Sequence, residues 1–171
     1  MGLRAIRTYP DPVLQRVSEP AKAVDGTVQT LLQDMAETMY AANGVGLAAP
    51  QVGVNSRLIV VDVQRGPEGS GLLKLINPRI LHREGVVKNE EGCLSLPDLL
   101  VETERSERVK VEALLPDGTF TLIEADGLLS LALQHEIDHL DGILLVDRLS
   151  RLRRQLYQRK RVREEARASC A

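Results

Sequence analysis

The spacing of apolar and polar positions changes several times along the chain, and each change predicts a different element. Over residues 25–42, Val28, Leu31, Leu32, Met35 and Met39 recur at the spacing of one helix face, so an amphipathic helix is expected, stopped by Gly44. "SRLIVVDV" (56–63) is a short β-branched run that reads as a buried strand. "GPEGSG" (66–71) reads as a loop or hairpin tip, and residues 75–87 as a strand pair broken near Pro78. Residues 109–115 and 119–125 flank "PDG" and predict a hairpin. Ahead of all of these, "YPDPVL" predicts an extended, turn-rich opening, because each proline pushes its predecessor out of the helical region.

The pattern then changes character. "GLLSLALQHEIDHLDG" (127–142) leaves almost no polar face on its first half, which predicts a helix buried on all sides, with Asp126 as N-cap and Gly142 as its stop. A basic helix follows over about residues 147–168. No repeat and no interdomain linker interrupts the chain. The expected fold class is α+β: mostly antiparallel sheets around a buried central helix, with helices at the N- and C-terminal ends, in a single domain over residues 1–171.

Composition narrows the functional classes. A chain of 171 residues suits one domain. With no Trp and one Phe, its core must be aliphatic. A formal net charge of -2 suggests no polyanionic partner such as DNA, but the charge is unevenly placed. Residues 148–163 hold eight Lys/Arg and no acid, leaving 14 basic against 24 acidic residues elsewhere. Such a run is most often a solvated helix face; the functional alternative is contact with ribosomal RNA. Cys93 and Cys170 are the only cysteines, so a reducing cytosol is the expected compartment. "MGLRAIRTYPDPVL" has neither the apolar stretch nor the cleavage site of a secretory leader. No apolar run approaches the roughly 18 to 20 residues of a membrane span. Cys170 is expected to be a free, exposed thiol.

The chemistry is concentrated in "HEIDH" (135–139). Positions i and i+4 share a helix face, so His135 and His139 can put two imidazoles on one cation. Glu136, one residue further round, can hold a water beside the metal and take its proton, as in metallohydrolases. The competing reading is a polar helix end. Burying His, Glu and His unpaired would cost several kcal/mol, so the apolar surroundings weigh against it. The third ligand would decide the class. Leu145 stands where a metzincin protease has its last His, and Glu164 and Glu165, the only downstream glutamates, lie in the basic tail. Upstream, Cys93 in "EEGCLSLP" would be a strong, soft ligand as thiolate. A lone Cys is more often a small core residue, so position alone leaves the choice open.

Three separated motifs together resemble one family, the peptide deformylases: "GVGLAAPQ" (44–51), "EGCLS" (91–95) and "QHEIDH" (134–139), in that order, with "YPDPVL" before them and "VDRLS" (146–150) after. The resemblance spans nearly the whole chain and implies a role for each matching position. Cys93, His135 and His139 would ligate one divalent metal, Fe2+ in the cell, with Zn2+, Ni2+ or Co2+ able to replace it. Glu136 would be general base and then acid. Gln51 and the backbone N–H of Leu94 would stabilise the oxyanion, each such donor being typically worth about 3 to 4 kcal/mol. The methionine slot would be formed by Leu128, Leu131 and Ala132, closed by Val45, with Gly46 letting the peptide backbone approach. The implied reaction is hydrolysis of the formyl group from N-formylmethionyl nascent peptides, releasing formate, in the cytoplasm and without a membrane partner. Asn89, Asp98 and Leu100 depart from residues common in the family near the substrate and concern preferences beyond the methionine. Two other readings stay in view: a metallopeptidase using "HEIDH", and a deformylase-like domain that keeps a structural metal only.

Overall fold

Strand β2, Leu58–Val61, shows why this chain forms layers. All four of its side chains are buried, yet a strand points successive side chains to opposite faces. Ile59 and Val61 join one apolar cluster, Leu58 and Val60 another. The computed structural model, which describes residues 2–64 and 71–168, places a helix against each face. On one side lies α1, Gly26–Ala41, through Leu31, Leu32, Met35 and Met39. On the other lies α2, Gly127–Leu140, through Leu133, Ile137 and Leu140.

The sheet between them has five antiparallel strands. Its order is β1 (Gly46–Ala48), β2, β3 (Leu73–Glu84), β6 (Arg108–Leu114) and β7 (Phe120–Ala125). A separate two-stranded ribbon pairs β4, Val87–Cys93, with β5, Leu96–Arg105. A third apolar cluster joins this ribbon to the N-terminal segment and to α3, Arg151–Ala168. Tyr9 stacks on Tyr157 of α3 with ring centroids 6.1 Å apart, and the Tyr157 hydroxyl donates to Pro97 O at 2.9 Å. The α+β class, the central histidine-bearing helix and the two flanking helices are therefore as expected from sequence.

Several local expectations need correction. α1 stops ahead of Gly44 as expected, but it is Asn43 that takes the left-handed turn (φ 57°), with Gly44 N–H reaching back to Met39 O at 2.9 Å. Residues 75–87 are not a strand pair. β3 is one long strand that passes Pro78 by an irregularity at Asn77 (φ 52°), pairing with β2 first and β6 afterwards. The β4–β5 ribbon was not anticipated as an element. Asp126 does stand at the N-cap of α2, but its side chain makes no capping hydrogen bond. Nor is α2 buried all round, since Leu128 in its first turn is 53% exposed. The last helix begins at Arg151 rather than 147; a separate 3-10 turn, Leu145–Arg148, precedes it and the chain is extended at Leu149. Most of the loop at 66–71, and Cys170, lie outside the described residues.

Candidate metal centre

α2 enters the core from an open end and carries its polar residues inward. Gly142 (φ 72°) ends it against the N-terminal segment, where an added Cβ would come within 2.7 Å of Gln15 O. One turn apart on this helix, the His135 and His139 rings lie edge to face with centroids 5.0 Å apart. In β4, Glu91 and Cys93 are two residues apart and point the same way, toward α2. Cys93 Sγ lies 3.2 Å from His139 Nε2. The ligand atoms of Cys93, His135 and His139 all fall within 4.8 Å of one another.

The surrounding groups orient this trio. His135 Nδ1 lies 2.9 Å from Glu91 Oε2, which directs Nε2 of that ring to the other ligands. Arg105 grips Glu91 with two hydrogen bonds, Nε to Oε1 at 2.7 Å and Nη2 to Oε2 at 2.9 Å. Thr103 Oγ1 also donates to Glu91 Oε1. Burial by itself would raise the Glu91 carboxyl, but the hydrogen bonds from Arg105, His135 and Thr103 outweigh it and hold the group well below the usual carboxylate range. Burial pushes His139 well below the usual imidazole range, so it presents the neutral form that binds metals. Burial opposes charging His135 as well, but its contacts with Cys93 and Glu91 raise it above that range.

Glu136 faces a cavity of about 580 Å³ on the open side of the trio. It is 4% exposed, and Oε2 has no hydrogen-bond partner. Burial pushes its carboxyl up to about 7. The close approach of β1 forces a glycine at 46: an added Cβ there would lie 2.8 Å from Glu136 Cδ and nearer still to Oε1. Gln51, 1% exposed, is fixed at both ends of its amide. Its Oε1 accepts from Ala48 N–H at 2.8 Å, and Nε2 donates to Ser95 Oγ at 3.1 Å while lying 3.6 Å from Cys93 Sγ.

The same cavity is lined by Val45, Gly46, Gln51, Cys93 and Leu94, and from α2 by Leu128, Leu131, Ala132, His135 and Glu136. The residues to which the family resemblance gives a role thus meet in one place, with His139 buried behind them at 2% exposure. Glu164, a downstream ligand candidate under the peptidase reading, instead pairs with Arg161 at 2.6 Å. Sequence reasoning did not assign roles to Glu91, Ser95, Thr103, Arg105 or Asp138. One signal was available: Val101, Thr103 and Arg105 alternate as buried positions of β5, and an Arg on an inward face needs an acid partner.

The residues fit a divalent ion. One cysteine sulfur and two imidazoles could supply the three ligands of an open metal site, and the buried, unpartnered Glu136 oxygen stands beside them. The polypeptide deformylase family profile matches residues 3–155. The chain belongs to the polypeptide deformylase family. It is 52% identical over 160 residues to a peptide deformylase of Thermodesulfovibrio yellowstonii, covering 94% of this chain and 97% of that one. The crystal structure of a peptide deformylase from Legionella pneumophila superposes with a TM-score of 0.88 at 43% identity, covering 96% and 98% of the two chains. That of Ehrlichia chaffeensis in complex with actinonin gives 0.91 at 39% identity, covering 96% and 99%. Membership makes this a metal-dependent enzyme family acting on peptides, and among the described residues no helix is long and apolar enough to cross a membrane.

Proposed function

We propose that the chain acts as a single catalytic domain, residues 1–171, that removes the formyl group from the N-terminal formylmethionine of nascent polypeptides. The observation that carries this reading is the convergence of Cys93 and His135, at the wall of a cavity that also holds Glu136 and Gln51, with His139 buried behind them. A divalent ion held by the three ligands, Fe2+ in the cell and Zn2+, Ni2+ or Co2+ in its place, would supply a Lewis acid and lower the pKa of water at the site.

The protein's own groups do the rest. Glu136, with a carboxyl near 7, takes a proton from the attacking water as its oxygen bonds to the formyl carbon. The negative charge that develops on the formyl oxygen is met by Gln51 Nε2 and the Leu94 backbone N–H. When the C–N bond breaks, Glu136 returns the proton to the leaving amine, giving formate and a free methionyl N-terminus. Gln51 needs no reorganisation for this, because Ala48 and Ser95 already hold both ends of its amide.

Substrate fit follows from the walls. Leu128, Leu131 and Ala132 give the methionine side chain an apolar slot, closed by Val45. β1 is an edge strand and β4 pairs only with β5 among the described residues, and both line the cavity. An extended peptide can therefore take main-chain hydrogen bonds there, with Gly46 leaving room. Asn89, Asp98 and Leu100, which also line the cavity, are the residues on which preference beyond the methionine would depend.

The cytoplasm is the compartment in which such a substrate arises. α3 turns Tyr157 and Arg161 inward and leaves Arg151, Arg153, Arg159 and Arg163 exposed, a face suited to ribosomal RNA rather than DNA or membrane. Charge reversal at Arg153, Arg159 and Arg163 should abolish low-salt cosedimentation with ribosomes; unchanged cosedimentation refutes that contact. The catalytic reading is tested by incubating the metal-loaded protein with formyl-Met and unformylated tripeptides. Formate release from the first alone supports it, whereas cleavage of the unformylated peptide without formate release places the chain among metallopeptidases.

A further inference from the structure

A chain of charged groups runs from the surface to the ligand trio. Arg148 Nη2 donates to Asp138 Oδ2 at 2.7 Å, and the same oxygen accepts from Arg105 Nη1 at 2.5 Å. Arg105 then spans to both oxygens of Glu91, and Glu91 Oε2 meets His135 Nδ1. The Arg105 side chain is 3% exposed, so it is among the most completely buried charges of the protein. From this geometry we infer that Arg105 is a positioning residue for the metal centre, locking Glu91 so that the His135 ring can turn only its Nε2 toward the metal.

Three observations support a role beyond holding the fold. First, Arg105 bridges the two elements that carry the ligands: Glu91 lies two residues before Cys93 on β4, and Asp138 lies between His135 and His139 on α2. Its guanidinium thus helps set the separation of Cys93 from the histidines. Second, Glu91 has no freedom left. Oε1 accepts from Arg105 and Thr103, and Oε2 from Arg105 while contacting His135. Third, three donors of one guanidinium are used in two directions, which a lysine ammonium cannot reproduce. Hydrogen-bond partners of metal-binding histidines typically change metal affinity 10- to 100-fold when altered.

The inference rests on the metal reading proposed above, and cobalt(II) separates the two. Native protein, Arg105→Lys and Glu91→Gln would each be loaded with cobalt, and three quantities measured: the visible absorption of the bound ion, the rate of cobalt loss to a chelator, and kcat and KM with a formyl-Met tripeptide. Circular dichroism monitors folding. The expected result is cobalt loss at least tenfold faster in both variants, an altered absorption band, and a lower kcat with KM within twofold of native. If Arg105→Lys does not fold, Glu91→Gln, which preserves side-chain size, decides alone. Cobalt loss and spectrum indistinguishable from native in a folded Glu91→Gln protein overturn the inference while leaving the metal reading standing. A native protein that takes up no cobalt overturns both.

Discussion

Gly46→Ala places one methyl group against the Glu136 side chain. The new Cβ would lie 2.8 Å from Glu136 Cδ and 2.9 Å from Cγ, where ordinary contact begins near 3.4 Å. Glu136 or β1 must therefore move by about 0.6 Å or more. Glu136 is 4% exposed and packed in α2 beside two ligands, so its carboxylate has little room to retreat except into the cavity where substrate sits. A misplacement of about 1 Å typically costs about 100-fold in rate, or about 2.7 kcal/mol of transition-state stabilisation. Overpacking destabilises by about 1 to 3 kcal/mol, offset by about 0.4 to 1 kcal/mol for replacing glycine where the backbone permits a side chain. A net loss of about 1 kcal/mol leaves the protein folded. Gly26→Ala, where an added Cβ meets nothing within 4 Å, is the control. Formate release should fall about 100-fold in Gly46→Ala, with metal content intact, and stay native in Gly26→Ala. Activity of Gly46→Ala within threefold of native would refute the claim that the β1–Glu136 contact fixes the base.

Three further outcomes are expected. Glu136→Ala should retain one metal per chain but lose about 10⁴-fold in kcat, at the upper end of general acid–base contributions, as read by formate release and metal analysis of the same sample. Ser95→Ala removes one of the hydrogen bonds that fix the Gln51 amide, and should lower kcat about tenfold with KM and metal content unchanged in steady-state assays. Burial pushes the Tyr157 hydroxyl up to about 12, above its unfolded value near 10. Its neutral form is thus favoured by folding: the contribution is fully present below pH 10 and lost as pH rises to about 12. Denaturant titrations should therefore show native stability falling more steeply over that range than that of Tyr157→Phe.

The parts of the fold visible in the sequence were those with a regular period. α1 and the β6–β7 hairpin followed from helical spacing and from "PDG" between apolar runs. The β4–β5 ribbon did not, because Gly92, Pro97 and Asp98 (φ 58°) interrupt the alternation and its outer positions are charged. Apolarity around the first turn of α2 pointed to burial, whereas Leu128 there lines an open cavity, which composition cannot distinguish from core. The early start expected for α3 failed because Asp147 serves a local turn, accepting from Leu144 N–H at 2.9 Å. For the candidate site, Cys93, His135, His139 and Glu136 were legible because each carries its own chemistry, and the structure brings them together. Arg105 was not, since its partners lie 14 and 33 residues away and only the folded chain brings them together.

The most direct test of the whole account is a metal titration of the metal-free protein under anaerobic conditions, following formate release from a formyl-Met tripeptide as Fe2+ is added. Activity should rise linearly and stop at one equivalent per chain, since Cys93, His135 and His139 form the one candidate metal site among the described residues. Full formate release without added metal, or one tightly bound ion with no formate released, would contradict it.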